Sequence, residues 1–384
     1  MLKRIVITVL MLALPLNAWA IKYKGDLETN ESLTLPQQGS TPANPAASKY
    51  KLYMKDDGQA YTLDSSGNEN PVDRAGFKNY LINGNFRLWQ RGVSFTAMNV
   101  YGADRWKHGS GGTATVTRQA FTLGQTDVPG EPKYFLRNNT TVAGVATATI
   151  IRQRVESVRT LAGEKATWSY WAKCGLAKSF NVFLFQNFGT GGSPSGQVVV
   201  GPQAFNCTTS WAHYVFTFTV PSVSGKTIGT NGDDFIEVLF QEASSFSTFT
   251  VDLAQAQLEK GSVATEFENR SLPVELGMAM RFFEKSYSQG TDVGTATTTG
   301  SLRFKAHTTS HIQPIIFKVT KCAVPTMTAY DSNLGGTGTC RDFTASADRT
   351  VAFGDTGDAY TRTSLASTVD GNSMGCHWTA DAEF

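Results

Sequence analysis

Charged residues are scarce in this chain. They make up 17% of its 384 residues, compared with about a quarter in an average soluble domain. The 34 lysines and arginines nearly balance the 32 aspartates and glutamates, and no segment concentrates one sign. Nucleic acid and acidic lipid are bound by clustered basic surfaces. The composition offers no such surface, and we predict no nucleic-acid binding.

Cysteine is also sparse. The five cysteines, Cys174, Cys207, Cys322, Cys340 and Cys376, include no CxxC pair and no zinc-binding spacing, which excludes the common zinc modules. Because the number is odd, at least one thiol is free or pairs between chains. Two arrangements are open: Cys174 with Cys207 plus one pair among the last three, or a set of small buried thiols.

Catalytic motifs are missing as well. The sequence has no GxSxG motif, and Gly189–Gly196 lacks the Gly-Lys-Ser/Thr of a phosphate loop. Asp233, Asp234, Glu237 and Glu156 supply carboxylates in no distinctive frame, whereas glycoside hydrolysis needs a pair about 5–10 Å apart. We therefore predict that the protein is not an enzyme, and a glycan-cleaving hydrolase is an alternative.

Threonine, serine, glycine and asparagine take the place of the missing charge, and they favour strands and turns. In His213–Val220 apolar and polar residues alternate, with Tyr214 and Phe218 on one face. Ala166–Cys174 alternates in the same way. Many short strands separated by turn clusters, without βα alternation, predict an all-β protein with a central β-sandwich over residues 76–270.

The N-terminal region divides into two parts. Residues 1–20 combine a basic start, an apolar run and a small-residue exit at Ala20, which predicts a secretory signal peptide; an uncleaved anchor is the alternative. Residues 21–75 form an extended arm and an attachment hairpin, whose strands flank a tight turn at Asp57-Gly58. Because a lone hairpin is only marginally stable, it needs a neighbour, and copies of itself from other subunits would serve.

Residues 271–287 are the one convincing helix of the sequence. Ser271 suits the N-cap, Pro273 suits the first turn, and Glu275 suits the positive end of the helix. We predict a short linking helix here. Strand patterns return after it, and they predict a C-terminal β-domain over residues 288–384.

One aromatic and polar cluster suggests a sugar-binding surface. Aromatic faces stack on the apolar faces of sugars, while amide and charged groups bond the hydroxyls. The segment YGADRW supplies Tyr101, Asp104, Arg105 and Trp106 within six residues. These four are our candidate glycan-binding residues. The alternative is that the aromatic rings pack in the sandwich interior and that Asp104 and Arg105 order a turn.

The stretch Asn79–Phe95 packs large apolar residues around Asn83-Gly84-Asn85. We interpret it as the first strand of the sandwich, with Leu81, Phe86 and Leu88 in the core and a bulge or turn at the Asn-Gly pair.

No cofactor is predicted, although a structural calcium ion is an alternative. Asn83, Asn85 and Asp252 lie near the first and last strands of the sandwich, and hard oxygen ligands suit calcium. However, the sequence has no dense acidic loop, and Asn-Gly is itself a tight-turn pair. We therefore predict no metal site.

Several runs resemble tail-fibre-type adhesins of bacteriophages and prophages. They are NYLINGNFRLWQRGVSF…YGADRW, VTRQAFTLGQTDVPGEPKYFLR, IIRQRVESVRTLAGEKATWSYWAK and RFFEKSY. The closing segment Cys376–Phe384 is similar to that of the same group. The hairpin KYKLYMKDDGQAYTLDSSGNE resembles a short module near the N-termini of phage virion proteins. Together the resemblances cover about residues 49–384.

This resemblance implies a homotrimeric virion appendage with a jelly-roll domain similar to carbohydrate-binding modules. It implies non-catalytic recognition of a bacterial surface glycan and attachment to other virion proteins through the N-terminal arm. The first functional alternative is a structural virion or decoration protein that binds only other virion proteins, and the second is a glycan-cleaving, tailspike-like hydrolase. The expected location is the virion, as a tail fibre or surface appendage; if residues 1–20 are cleaved, the alternative is a secreted or periplasmic protein.

Overall fold

The computed structural model describes residues 35–72, 77–97, 99–109, 112–144, 149–243, 247–307, 310–366 and 368–384. The predicted signal peptide, residues 1–20, and the first part of the arm lie outside these ranges. The described part of the chain is built almost entirely of strands, with one α-helix, which confirms the all-β prediction. In the described part of the chain, no helix is long and apolar enough to span a bilayer.

The predicted hairpin is confirmed, and it belongs to a small sheet of four strands. These are β1 (Gln37–Gln38), β2 (Lys51–Lys55), β3 (Ala60–Leu63) and β4 (Glu69–Pro71). Strands β2 and β3 are antiparallel, with Lys51 opposite Leu63. The turn between them holds Gly58 at a φ of +74°, a conformation that glycine adopts at no steric cost.

The hairpin packs against the sandwich of its own chain. Tyr61 and Leu63 are fully buried, with Val263 packed against them. The Asp57 carboxylate accepts a 2.9 Å hydrogen bond from the Ser262 hydroxyl. The neighbour that the hairpin requires is therefore supplied by the same chain, without a second subunit.

The central sandwich has two six-stranded sheets. The first sheet has the order β13-β12-β15-β10-β7-β6, and the second has the order β14-β11-β16-β9-β8-β5. Every pair of neighbours in both sheets is antiparallel. The strands are β5 (Ser94–Phe95), β6 (Val100–Tyr101), β7 (Lys107–His108), β8 (Thr113–Ala120), β9 (Tyr134–Val142), β10 (Thr149–Glu156), β11 (Lys165–Cys174), β12 (Lys178–Asn187), β13 (Val198–Cys207), β14 (Ala212–Thr219), β15 (Phe235–Glu242) and β16 (Phe249–Lys260).

The core lies between the two sheets, because alternate residues of each strand point inward. On β12, Phe180, Val182 and Leu184 are fully buried, and they meet Trp168 and Phe218 of the second sheet in one cluster. This packing confirms the predicted sandwich and the alternation from which it was derived.

The stretch Asn79–Phe95 is not a strand, and that interpretation was wrong. Only Ser94–Phe95 pairs in a sheet, and the rest runs irregularly under the sandwich. Its apolar residues nevertheless fill the core as predicted, with Leu81 and Phe86 at 0% exposure. A Cβ at Gly84 would lie 2.0 Å from the Ala256 carbonyl oxygen, so the backbone packs too closely there for any side chain.

The linking helix α1 (Leu272–Met280) is shorter than predicted. Ser271 occupies the N-cap position without a side-chain cap, and the buried Glu275 pairs instead with Arg270, 3.2 Å away. The predicted end at residue 287 was wrong. Phe283–Lys285 forms a strand that pairs with the last strand of the C-terminal domain.

The C-terminal domain is an eight-stranded sheet arrangement, as its strand patterns predict. Its last strand is central, since four other strands pair with it. The strands are β17 (Phe283–Lys285), β18 (Leu302–Lys305), β19 (Ser310–Ile316), β20 (Thr326–Asp331), β21 (Thr339–Asp342), β22 (Ala347–Gly354), β23 (Tyr360–Ala366) and β24 (Ser373–Asp381).

Two disulfides are present, and they match the first predicted arrangement. Cys174–Cys207 joins β11 to β13 and so ties the two sheets of the sandwich together. Cys340–Cys376 joins β21 to β24 in the C-terminal domain. Cys322 is free.

Candidate functional site

Three of the four candidate glycan-binding residues lie inside the protein. Asp104, Arg105 and Trp106 are each 1% exposed. The Trp106 ring packs 5.3 Å from the Phe86 ring, and its indole nitrogen donates a 3.0 Å hydrogen bond to the Asn83 carbonyl. None of the three offers a free face to a sugar, so the structure favours the packing alternative for them.

Arg105 contacts the C-terminal tail at the junction of the two domains, and the Asp104 carboxylate accepts a 2.9 Å hydrogen bond from the Gln90 backbone nitrogen. The Arg105 guanidinium forms an ion pair with Glu383, donates a 2.6 Å hydrogen bond to the Arg154 carbonyl and lies 3.3 Å from the centre of the Phe282 ring. Burial lowers the pKa of Arg105 to about 10. Burial also raises the pKa of Asp104. These shifts reflect packing and do not mark a binding site.

Tyr101 is the one member of the four that reaches a surface. Its hydroxyl donates a 3.0 Å hydrogen bond to the Phe384 carbonyl, and the Lys107 ammonium lies 5.6 Å from the centre of its ring. Tyr101 is paired with Lys107, and Lys107 with Arg152. A row of outward side chains therefore begins at Tyr101 and crosses the outer side of the first sheet.

The same row continues through Leu239 to Phe183, because Arg152 is opposite Leu239 and Leu239 is opposite Phe183. Residues two apart on a strand share a face, so Phe185 also points outward, opposite Glu237. We name this surface the Phe183 face. It consists of Lys107, Arg152, Arg154, Asn181, Phe183, Phe185, Glu237 and Gln241.

Two partly exposed aromatic rings form the apolar part of the Phe183 face. The rings of Phe183 and Phe185 lie 5.6 Å apart at an interplanar angle of 21°. Leu239 lies beside Phe183 and is 7% exposed. Since the core takes the inward residues of β12, these rings are not needed to fill the interior. They form a narrow apolar strip of the kind on which the apolar face of a sugar ring packs.

Polar groups flank this strip on two sides. The Arg154 Nε donates a 2.9 Å hydrogen bond to Glu237, and the Arg152 guanidinium lies 3.8 Å from the same carboxylate. On the adjacent row, the amides of Asn181 and Gln241 are opposite each other across β12 and β15. The arrangement presents both donors and acceptors within one or two strand spacings, about 5–10 Å, of the rings.

Burial lowers the pKa of Lys107, and the charges of Arg152 and Arg154 lower it further. Across the described ranges, no carboxylate lies within ion-pair distance of the Lys107 ammonium, and the centre of the Tyr101 ring lies 5.6 Å from it. The Phe183 face thus carries a partly buried cation that has only other cations and one shared carboxylate near it.

The carboxylates considered for hydrolysis are bonded to other groups of the protein. Glu237 is held by Arg154, and Glu156 by Arg281 at 2.7 Å. Asp233 accepts hydrogen bonds from Thr190, and Asp234 accepts one from the Val158 backbone. Each of the four carboxylates is therefore held by a partner within the protein.

The oxygens considered for calcium also have protein partners. The Asn83 side-chain oxygen accepts a hydrogen bond from the Leu88 backbone, and Arg137 binds both oxygens of Asp252 at 2.7 and 2.8 Å. Among the described residues no group of three or more His, Cys, Asp or Glu side chains is arranged to hold a metal.

Two further surfaces are less suitable. A cleft of about 220 Å³ beside residues 129–133 is lined by Arg87, Gln255 and Phe267, but only one ring borders it. On the outer side of the second sheet, Trp171 stacks on His213 with ring centres 5.3 Å apart. The neighbouring rings there pack mainly on one another as a small separate core.

Sequence reasoning missed the Phe183 face, although a signal was present. The run FNVFLF, Phe180–Phe185, is apolar at both strand faces, whereas a strand with one solvated face alternates. Phe183 and Phe185 occupy outward positions, where polar residues are expected on a solvated strand face, and this pattern indicates an apolar surface patch. Arg152 and Arg154 show the complementary pattern, two positive charges spaced two apart on the strand TIIRQRVE.

No protein-family model and no curated protein matches this chain. Among solved structures, a CBM4 structure is 13% identical over 47% of this chain and 98% of its own, with a TM-score of 0.28. The family 11 carbohydrate-binding module from Clostridium thermocellum, in complex with a β-1,3-1,4-mixed-linked tetrasaccharide, is 11% identical over 45% of this chain and 98% of its own, with a TM-score of 0.28. The enzymatically active domain of tailspike protein 4 from bacteriophage CBA120 is 13% identical over 47% of this chain and 21% of that chain, with a TM-score of 0.28. Likenesses at this level assign no function to this chain.

Proposed function

We propose that the protein is a non-catalytic, glycan-binding adhesin of the phage tail-fibre type and that the Phe183 face binds the sugar. The observation that carries the proposal is the pair of near-parallel rings, Phe183 and Phe185, left outside a core that is already filled. Rings of this kind beside hydrogen-bonding groups are the usual composition of a saccharide site.

Binding of this kind makes or breaks no covalent bond. Stacking on the two rings supplies the apolar contribution, and the Arg154–Glu237 pair with the Asn181 and Gln241 amides supplies hydrogen bonds to hydroxyls. Each contact is weak. A homotrimer attached to a virion through the arm and hairpin would multiply them by avidity, and light scattering of the purified chain tests that oligomeric state.

The location of the adhesin follows the same proposal. A tail fibre or surface appendage of a virion is the expected place, and cleavage of residues 1–20 would instead give a secreted or periplasmic protein. A decoration protein would bind only other virion proteins, and a hydrolase would shorten the glycan that it binds. Sugar binding therefore distinguishes the proposal from the decoration protein, and binding without cleavage of the sugar distinguishes it from the hydrolase.

The test is a glycan array probed with the full chain and with the double variant Phe183→Ala/Phe185→Ala. We expect wild type to bind a defined set of bacterial surface glycans and the double variant to lose roughly tenfold or more in affinity, since a well-placed ring contributes about 0.5–1.5 kcal/mol beyond its buried area. Thermal unfolding of both proteins checks that the fold is unchanged.

Matched variants locate the site. Trp171→Ala removes a ring from the outer side of the second sheet, and Phe267→Ala removes one from the cleft; both should bind like wild type. Loss of binding in either of these variants, with the double variant unaffected, would move the site away from the Phe183 face. An array without any bound glycan would favour the decoration protein, and shortening of a bound polysaccharide would favour the hydrolase.

A further inference from the structure

We propose that the Phe183 face selects acidic glycans and that Lys107 and Arg152 bind the anionic group of the sugar. This inference rests on the proposed function, because it names the class of saccharide that the same surface takes. It depends on charges that the stacking argument does not use.

Positive charge exceeds negative charge on the Phe183 face. Three cations, Lys107, Arg152 and Arg154, share one carboxylate, Glu237. Arg154 contacts that carboxylate at 2.9 Å. Arg152 lies farther away at 3.8 Å, and Lys107 has no ion pair with any residue that the structure describes.

Neighbouring acidic groups do not remove this excess. Glu156 is paired with Arg281 at 2.7 Å. Glu383 is shared between Arg105 and Arg91, and Arg91 also contacts Asp381 at 3.0 Å.

A carboxylate at Phe384, whose oxygen accepts the hydrogen bond from Tyr101, would still leave one cation without a partner. The excess is therefore a property of the folded surface, even though the whole chain is nearly neutral.

The two underused cations are placed to act together. Lys107 and Arg152 are directly opposite each other on antiparallel strands, which brings their Cβ atoms within about 4.5–5.5 Å. The Arg152 side chain is 24% exposed, so it is largely shielded from water while part of it remains accessible. An oxyanion between the two would receive hydrogen bonds from a planar guanidinium and an ammonium, the donors that best suit carboxylate and phosphate.

The anionic group and the sugar ring fit the same row of the sheet. Phe183 lies two strands from Arg152, with Leu239 between them, a separation of about 10 Å. A saccharide that stacks on Phe183 and extends across the strands therefore meets Arg152 and Lys107 with its next substituent or next residue. Uronic-acid carboxylates and sugar phosphates share the required chemistry.

The experiment compares neutral, carboxylated and phosphorylated oligosaccharides on one array, using the full chain at low and at physiological salt. We expect the bound set to be acidic and its binding to weaken as salt rises. Binding of carboxylated members alone, or of phosphorylated members alone, identifies the source of the charge. Each bound acidic ligand is then titrated beside a neutral counterpart with the same sugar backbone, such as its methyl ester.

We expect Lys107→Gln and Arg152→Gln each to lower the affinity for the acidic ligand by roughly tenfold, the effect of losing one hydrogen bond to a charged group. Their affinity for the neutral counterpart should fall by a clearly smaller factor, because that ligand lacks the anionic group that the two cations bind. Lys226→Gln, which removes an exposed lysine from the loop after β14, is the matched control and should bind both ligands like wild type.

Two results overturn the inference in different ways. If neutral glycans bind as well as acidic ones and still depend on Phe183 and Phe185, the acidic selectivity is refuted and the proposed function stands. If the double ring variant binds like wild type, or no glycan binds, the proposed function fails and this inference fails with it.

Discussion

Acidification should destabilise the sandwich through one buried histidine. His108 is 1% exposed, neither of its ring nitrogens has a hydrogen-bond partner, and the Phe95 ring lies 5.9 Å from its ring. Burial lowers the pKa of His108 from 6.5 to about 4, because the interior disfavours the charged imidazolium. The folded protein therefore keeps His108 neutral where an unfolded chain would protonate it.

The size of the effect follows from this difference in pKa. Between pH 6.5 and about 4 the unfolded state binds more protons than the folded state, so the free energy of unfolding falls as the pH falls. One pKa unit corresponds to about 1.4 kcal/mol, and the shift therefore removes about 3 kcal/mol in full below pH 4 and about 2 kcal/mol at pH 5.

The assay is urea unfolding at pH 7 and pH 5, followed by tryptophan fluorescence. Most of the tryptophans of the described chain lie in the sandwich, so the signal reports on the domain that contains His108. We expect the difference in unfolding free energy between the two pH values to be about 2 kcal/mol larger for wild type than for His108→Leu. His307→Asn, at an exposed histidine of the C-terminal domain, should retain the wild-type difference. An unchanged pH dependence in His108→Leu would refute the reasoning.

Two further predictions concern other buried groups. Glu383→Ala leaves the buried Arg105 without its ion-pair partner and should lower the free energy of unfolding by about 3–5 kcal/mol. The control Asp355→Ala breaks the exposed pair with Arg362 and should lower it by about 1 kcal/mol or less. Equal effects of the two variants in urea unfolding would contradict the burial of the Arg105–Glu383 pair. Burial raises the pKa of the free Cys322 thiol to about 11. At pH 8 a thiol reagent should therefore label no cysteine of the native chain and one cysteine per chain after denaturation. Rapid labelling of the native protein would contradict this prediction, because it would show that the thiol is accessible.

The strands of the sandwich were predictable because their signal is local. In His213–Val220 and Ala166–Cys174 apolar and polar residues alternate, and this period of two can be recognised without knowing which strand lies alongside. The hairpin followed in the same way from its Asp57-Gly58 turn. The sequence could not decide between the disulfide Cys174–Cys207 and a set of buried thiols, because this pairing depends on how the two sheets of the sandwich come together.

The candidate site could not be predicted in this way, because burial is decided by distant parts of the chain. Arg105 and Trp106 have the composition of a surface cluster, yet contacts with Glu383 and with Asn83 place them inside. The helix ends at Met280 for a similar reason: Phe283–Lys285 has helical spacing but gains a partner in β24. The stretch before Phe95 places its apolar residues in the core as predicted. It is irregular and not a strand, because side chains such as Asn83 form hydrogen bonds with its backbone.

The last strand of the C-terminal domain has a mechanical consequence for how that domain is held to the sandwich. The two domains are joined in two ways, by the covalent chain through α1 and by the side-chain contacts at Glu383 and Phe384. The second connection ends on β24, which four neighbouring strands clamp. Displacing β24 along its own direction has to shear several hydrogen-bond ladders at once, so a force that separates the two domains should break the Arg105–Glu383 ion pair before it moves β24.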